Sequence, residues 1–231
     1  MDDGVLSNLR EVREEIEGVA REVGRNPAEV QLVAVTKTVA IDKIVPVVQA
    51  GVNHLGENRV QELVDKHPHF SGAKWHLIGH LQTNKVKYIK DKVYLIHSLD
   101  RWPLAEELNK RAYTGETIDP FNVLIQVNIS GEETKYGLEP SQVIDFIKEV
   151  AALPGLRIQG LMTMAPYETD PERVRPVFRE LRLLAGQIAK EAIPGVTMQH
   201  LSMGMSNDFP VAIQEGATFV RVGSRVFGER T

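Results

Sequence analysis

The stretch QLVAVTKTV, residues 31–39, decides how the rest of the chain is read. Leu32, Val33, Ala34 and Val35 are four apolar residues in a row, the pattern of a strand buried on both faces in a parallel sheet. The run stops at Thr36 and Lys37, so an amine stands at the end of a core strand. Seven further short apolar runs resemble it: VNHLGE (52–57), WHLIG (75–79), VYLIHSL (93–99), FNVLIQVNI (121–129), LRIQGLMTM (156–164), VTMQHLSM (196–203) and ATFVRVGS (217–224). Helical patterns separate them near 41–50, 58–66, 83–90, 101–113, 139–153 and 171–191. Eight βα units in a chain close to the ~250 residues typical of the fold predict one domain, residues 1–231, folded as an α/β TIM (β/α)8 barrel. An open doubly wound sheet is the alternative.

Before the first strand, Val5, Leu9, Val12, Ile16, Val19 and Val23 recur at spacings of three and four. They predict an amphipathic helix within 1–24, closed by Gly24 and packed on the barrel. The same stretch is acidic from its second residue and lacks an apolar core, so it does not read as a signal peptide. No apolar run approaches the ~20 residues of a membrane helix. Charged residues make up 25% of the 231 and the formal net charge is −4, which gives no basic balance for nucleic acid or an anionic membrane. The absence of cysteine excludes thiolate chemistry and fits a reducing compartment. The expectation is a cytoplasmic protein, monomeric or homodimeric, without membrane or nucleic-acid partners.

Barrel chemistry gathers at the C-terminal ends of the strands. There the chain places Lys37, then Glu57 and Asn58, His80 and Gln82, Ser98 and Asp100, Asn128, Thr163, Ser202, and Gly223 with Ser224. Lys37 is the one lysine at such a junction. Desolvation and nearby cations would leave it a nucleophilic amine suited to a Schiff base with an aldehyde or ketone. The loops after the last two strands are the common phosphate site of these barrels. Here they carry LSMGMSNDF (201–209), with Ser202, Gly204 and Ser206, and RVGSRVFGER (221–230), with Gly223 and Ser224. Glycine admits close approach of an anion and the serine hydroxyls donate to it; Asp208 is placed to cap the next helix. Arg221, two residues before Gly223, shares its face of the strand and points into the barrel if Gly223 borders the site; an exterior salt bridge to a helix is the alternative. A guanidinium beside a pyridine nitrogen would oppose protonation of that nitrogen.

Together the motifs LVAVTK, GENRVQE, WHLIGHLQTNK, HSLD, VNISGEETKYGL, GLMTM, LSMGMSNDF and RVGSRVFGER resemble the pyridoxal phosphate homeostasis proteins over essentially the whole chain. That family is related to the N-terminal barrel domain of alanine racemases. The resemblance implies that Lys37 holds pyridoxal 5′-phosphate (PLP) as a Schiff base. It also implies that Ser202, Gly223 and Ser224 hold the phosphate, with backbone help around Met203 and Gly204. Arg221 would face the pyridine nitrogen, and Asn58 and Met162 would flank the ring. The related racemases add a tyrosine from a second domain of a partner subunit, and the expectation here is the barrel without that domain. The implied role is binding, buffering or delivering PLP to the apoenzymes that use it, within vitamin B6 homeostasis and with little or no catalysis. A racemase is the alternative, with Tyr136 or His200 as the second acid–base group. A Schiff-base aldolase acting on sugar phosphates is another. His76 and His80 are four apart but span a strand end and turn rather than a helix, His67 and His69 are two apart, and without HExxH or clustered carboxylates neither pair reads as a metal site; His54, His97 and His200 read as core histidines.

Overall fold

A computed structural model describes residues 3–132 and 134–228. Eight parallel strands run in chain order around a closed barrel: β1 (Gln31–Val35), β2 (His54–Glu57), β3 (Lys74–Leu77), β4 (Val93–Leu99), β5 (Phe121–Gln126), β6 (Leu156–Met162), β7 (Val196–Ser202) and β8 (Phe219–Val222). β1 pairs with β2 through Ala34 and Leu55, and with β8 through Val33 and Arg221. That last pairing closes the sheet and removes the open doubly wound alternative. All eight expected strands are present.

The helices are α1 (Asp3–Glu22), α2 (Ile41–Gln49), α3 (Val60–Lys66), α4 (Trp102–Ala112), α5 (Val143–Ala151), α6 (Arg175–Lys190), α7 (Phe209–Gln214) and the single turn α8 (Ser224–Phe227). Between β3 and β4 the connection is a 3₁₀ helix, Thr83–Tyr88, rather than an α-helix. Its buried Val86 is followed three residues on by buried Ile89, which fits the three-residue turn of that helix. Tyr113–Thr114 and Thr117–Ile118 form a small antiparallel hairpin outside the barrel.

α1 buries Val5, Leu9, Val12, Ile16 and Ala20 against α2, α7 and α8. Val23, expected on that stripe, is exposed because the helix ends one residue earlier and Gly24 turns the chain at φ +71°. Two apolar cores result. The larger lies between sheet and helices. The smaller, Val33, Leu95, Leu124, Met162 and Phe219, fills the barrel itself, one residue from each of five strands. A filled barrel leaves room for a ligand only at its ends, and a cavity opens at the strand C-termini.

The candidate site at the barrel mouth

The cavity measures about 460 Å³ and is lined from most of the strand ends. β1 delivers Val35 and Lys37, and the β2 and β3 ends deliver Asn58, Ile78 and His80. β6 leads to Met164, Pro166 and Tyr167, the β7 loop supplies Met205 to Asp208, and β8 supplies Arg221, Gly223 and Ser224. Strand alternation explains the set: Val33, Val35 and Lys37 share one face, and so do Phe219, Arg221 and Gly223. An adjoining hollow of about 220 Å³ runs from Lys37, Gly223 and Ser224 toward Lys43.

Of the residues singled out by sequence, the cavity unites Lys37, Asn58, Arg221, Gly223 and Ser224. The other four lie elsewhere. Met162 is fully buried in the barrel core below the mouth, and Met164, the next residue on its face, takes the cavity position. Ser202 lies beneath Arg221, which donates from Nη1 to its Oγ at 2.6 Å, with His97 Nδ1 on its other side at 2.8 Å. Met203 spends its N–H on the carbonyl of Phe219 and packs its side chain in the outer core. Gly204 accepts the Arg221 N–H, and its missing Cβ makes room for α7, since one built there would come within 2.6 Å of Ala212 Cβ.

From the last two loops Ser206, Gly223 and Ser224 line the cavity together. The Gly223 N–H donates to Ser206 Oγ at 3.3 Å, which joins the two loops. A Cβ on Gly223 would lie 3.3 Å from the Val35 Cβ and carbonyl oxygen, so this cradle is shaped for glycine. Asp208 stands at the N-cap position of α7 but its side chain makes no capping bond; its carboxylate accepts the Met205 N–H at 2.5 Å and folds the loop back. Burial pushes that carboxyl up, and Met205 and then Arg221 oppose the shift. Residues 229 and 230 of the last motif lie outside the described residues.

Behind Lys37 stands a buried ion pair that the sequence did not disclose. Glu57 is fully buried on the outer face of β2, and its Oε1 accepts from Lys66 Nζ at 2.7 Å and from Thr36 Oγ1 at 2.6 Å. Lys66 also donates to the Thr36 carbonyl and to Glu62, while Glu62 accepts the Thr38 N–H at 2.7 Å. Both neighbours of Lys37 are therefore clamped, and Thr38 is held at φ +59°, where a threonine pays strain. Burial pushes the Glu57 carboxyl up, against the pull of Lys66 and Thr36. Its Oε2 is the buried side-chain polar atom without a hydrogen-bond partner among the described residues.

At the rim, Tyr136 stacks on His80 with ring centroids 4.2 Å apart, and His80 Nδ1 lies 3.8 Å from Asp100. Burial and Arg101 hold His80 below its usual value. His200, the other candidate for a second acid–base group, is remote from the mouth and packs on Phe219 at 4.6 Å. His76, considered with His80 as a metal pair, points into the barrel instead.

The family model described as the N-terminal domain of alanine racemase matches residues 7–231. A protein of Aquifex aeolicus named pyridoxal phosphate homeostasis protein is 46% identical over 224 residues, 96% of each chain. The chain belongs to the pyridoxal phosphate homeostasis protein family. An Escherichia coli member of the same name is 38% identical over 98% of this chain and 97% of its own. Among solved structures, PipY of Synechococcus elongatus with PLP bound is 34% identical and aligns with a TM-score of 0.79 over 93% of this chain and 100% of that one. An alanine racemase of Clostridium difficile, 15% identical, shares the fold at a TM-score of 0.77 over 99% of this chain but 57% of its own. The barrel is thus of the alanine racemase N-terminal type.

Proposed function

We propose that this chain binds PLP at the barrel mouth, anchored covalently by Lys37, and holds or hands it on in the cytoplasm with little or no turnover. The observation that carries this is the convergence of an amine, a fixed guanidinium and a glycine–serine anion cradle on one cavity. The donor set fits the group: a primary amine for an aldehyde, Gly223, Ser224 and Ser206 for a phosphate, and Arg221 for a ring nitrogen. PipY, a relative at 34% identity, was solved with PLP bound, which supports the reading. PLP supplies an aldehyde that condenses reversibly with primary amines.

The residues present account for retention without strong catalysis. Lys37 is set at the strand end by its clamped neighbours, so its amine meets a ligand with little ordering to do. Arg221, buried and charged, opposes protonation of a ring nitrogen beside it and so weakens the ring as an electron sink. The rim leaves water access: Tyr136 is 54% and Tyr167 80% exposed, and an unshielded site forfeits the strengthened electrostatics of a closed one. That exposure also suits release to apoenzymes that use the same group.

Purified protein titrated with PLP tests this. Wild type should gain a visible absorbance band saturating at one equivalent per chain, and Lys37→Ala should gain none. Loss of deuterium from Cα of labelled alanine should run no faster than with free PLP. An equal band in Lys37→Ala, or robust exchange by wild type that Lys37→Ala abolishes, would overturn the proposal.

A further inference from the structure

A hydrogen-bonded file of side chains runs down the inside of the barrel from the floor of the cavity. Arg221 Nη1 meets Ser202 Oγ at 2.6 Å, and Ser202 Oγ meets His97 Nδ1 at 2.8 Å. His97 Nε2 then meets His76 Nδ1 at 2.8 Å, and His76 Nε2 meets His54 Nδ1 at 2.8 Å. All five side chains are buried. Sequence reading places His54 and His97 in the core, separately, and weighs His76 only with His80; the register of β2, β3 and β4 is what lines the three up.

The chemistry of the upper end dictates the order of protons along the file. An arginine has donors only, so Ser202 Oγ must accept from it. Among the described residues the remaining partner of that hydroxyl is His97 Nδ1, which therefore receives the serine proton and carries none of its own. A neutral His97 then bears its proton on Nε2 and donates to His76, and His76 donates to His54 in the same sense. Burial, first among the causes, holds His76 and His97 well below 6.5, in keeping with neutral rings. The charged and titratable groups packed around the file are Lys74 from β3, Tyr94 from β4, His200 from β7 and Arg221 from β8. The lower end reaches half-exposed Tyr94 and His200 and exposed Lys74.

We propose that Arg221, through Ser202, imposes a single proton order on His97, His76 and His54, and that this file serves in return to position the guanidinium. His97 is the positioning residue, because it takes the Ser202 proton and so turns an oxygen lone pair toward Arg221. The Thr163 carbonyl, 2.9 Å from Nη2, fixes the second arm of the fork. The barrel's lower opening is thereby coupled to the floor of the site. The proton order stands on the protein alone; its effect on a bound ligand rests on the PLP reading above.

Two measurements test it. Nitrogen-15 spectra of histidine-labelled protein at neutral pH, without ligand, should show His54, His76 and His97 neutral with the proton on Nε2. Ser202→Ala, which removes the proton donated to His97, should disturb the His97 signals most and His54 least. A charged His97, or one protonated on Nδ1, would overturn the proton order.

The second measurement is the pH midpoint of the visible band of PLP-loaded protein. His97→Gln can accept from Ser202 through its amide oxygen and donate to His76 through its amide nitrogen, so it should keep the wild-type midpoint. His97→Leu should move it by about one pH unit, a tenfold change in the proton equilibrium. Equal midpoints in wild type, Gln and Leu proteins would remove the positioning role, as would a Gln protein as displaced as Leu. If Leu fails to fold, a Gln midpoint away from wild type still overturns the role. A wild type with no visible band at all would refute the PLP reading, while the nitrogen-15 result would continue to decide the file.

Discussion

Acid should destabilise this protein through the inside of its barrel. Burial, helped by Lys74 and His200, pushes His54 down to about 4. Burial does the same to His76 and His97, which lie well below 6.5. In the unfolded chain imidazoles titrate near 6.5. Between that value and the folded values the unfolded state binds protons that the folded state refuses. Stability is therefore complete above about pH 6.5 and falls as the pH drops toward 4. At about pH 5.5 each released imidazole lowers the unfolded state by about 1.4 kcal/mol, so the three remove about 4 kcal/mol relative to about pH 7.5. That is a large share of the ~5–15 kcal/mol total of an ordinary domain. Urea titrations at the two pH values, read by tryptophan fluorescence, measure it directly, because Trp75 is fully buried in the fold. The midpoint should fall with an unchanged slope. His97→Gln should recover about 1.4 kcal/mol of the difference, and this comparison cancels other titrating groups such as Glu57. Free energies equal within about 1 kcal/mol at both pH values would refute the neutral, buried file.

Other substitutions test the surroundings of the site. Lys66→Met leaves Glu57 buried without its cation and should cost about 3–5 kcal/mol in urea unfolding. Because burial already raises the Glu57 carboxyl, the loss should shrink as the pH falls and the folded state takes up that proton. Gly160→Ala should cost about 3 kcal/mol or more by the same assay, since Gly160 sits at φ +154° and a Cβ there would run into the His200 carbonyl oxygen. Gly223→Ala should weaken PLP binding about tenfold in an absorbance titration, roughly 1.4 kcal/mol, with little change in stability, as Val35 must yield only slightly.

Most of the barrel was legible because each strand is a short apolar run with a polar residue at its end, and period-two alternation carried Arg221 and Gly223 to the same face. Alternation also set the limit. Ser202 and Met162 stand on the inward faces of β7 and β6, but depth along the barrel depends on strand stagger, which no single run reveals. Both lie one layer below the residues that line the cavity, Ser206 and Met164 among them. Met203 and Gly204 read as a turn toward an anion; in the fold the Met203 N–H and the Gly204 carbonyl are bonded to β8. The Glu57–Lys66 pair and the histidine file join residues from different elements, and a charged or aromatic residue carries no mark in sequence of the partner it will find.

The proposed function requires one bond, between Lys37 and the aldehyde of PLP. Purified protein incubated with PLP, reduced with borohydride and digested should yield one phosphopyridoxyl-modified peptide, with the added mass on Lys37. The visible band should bleach in step. Modification spread over exposed lysines such as Lys87 and Lys110, or a Lys37 peptide left unmodified while the band persists, would contradict it.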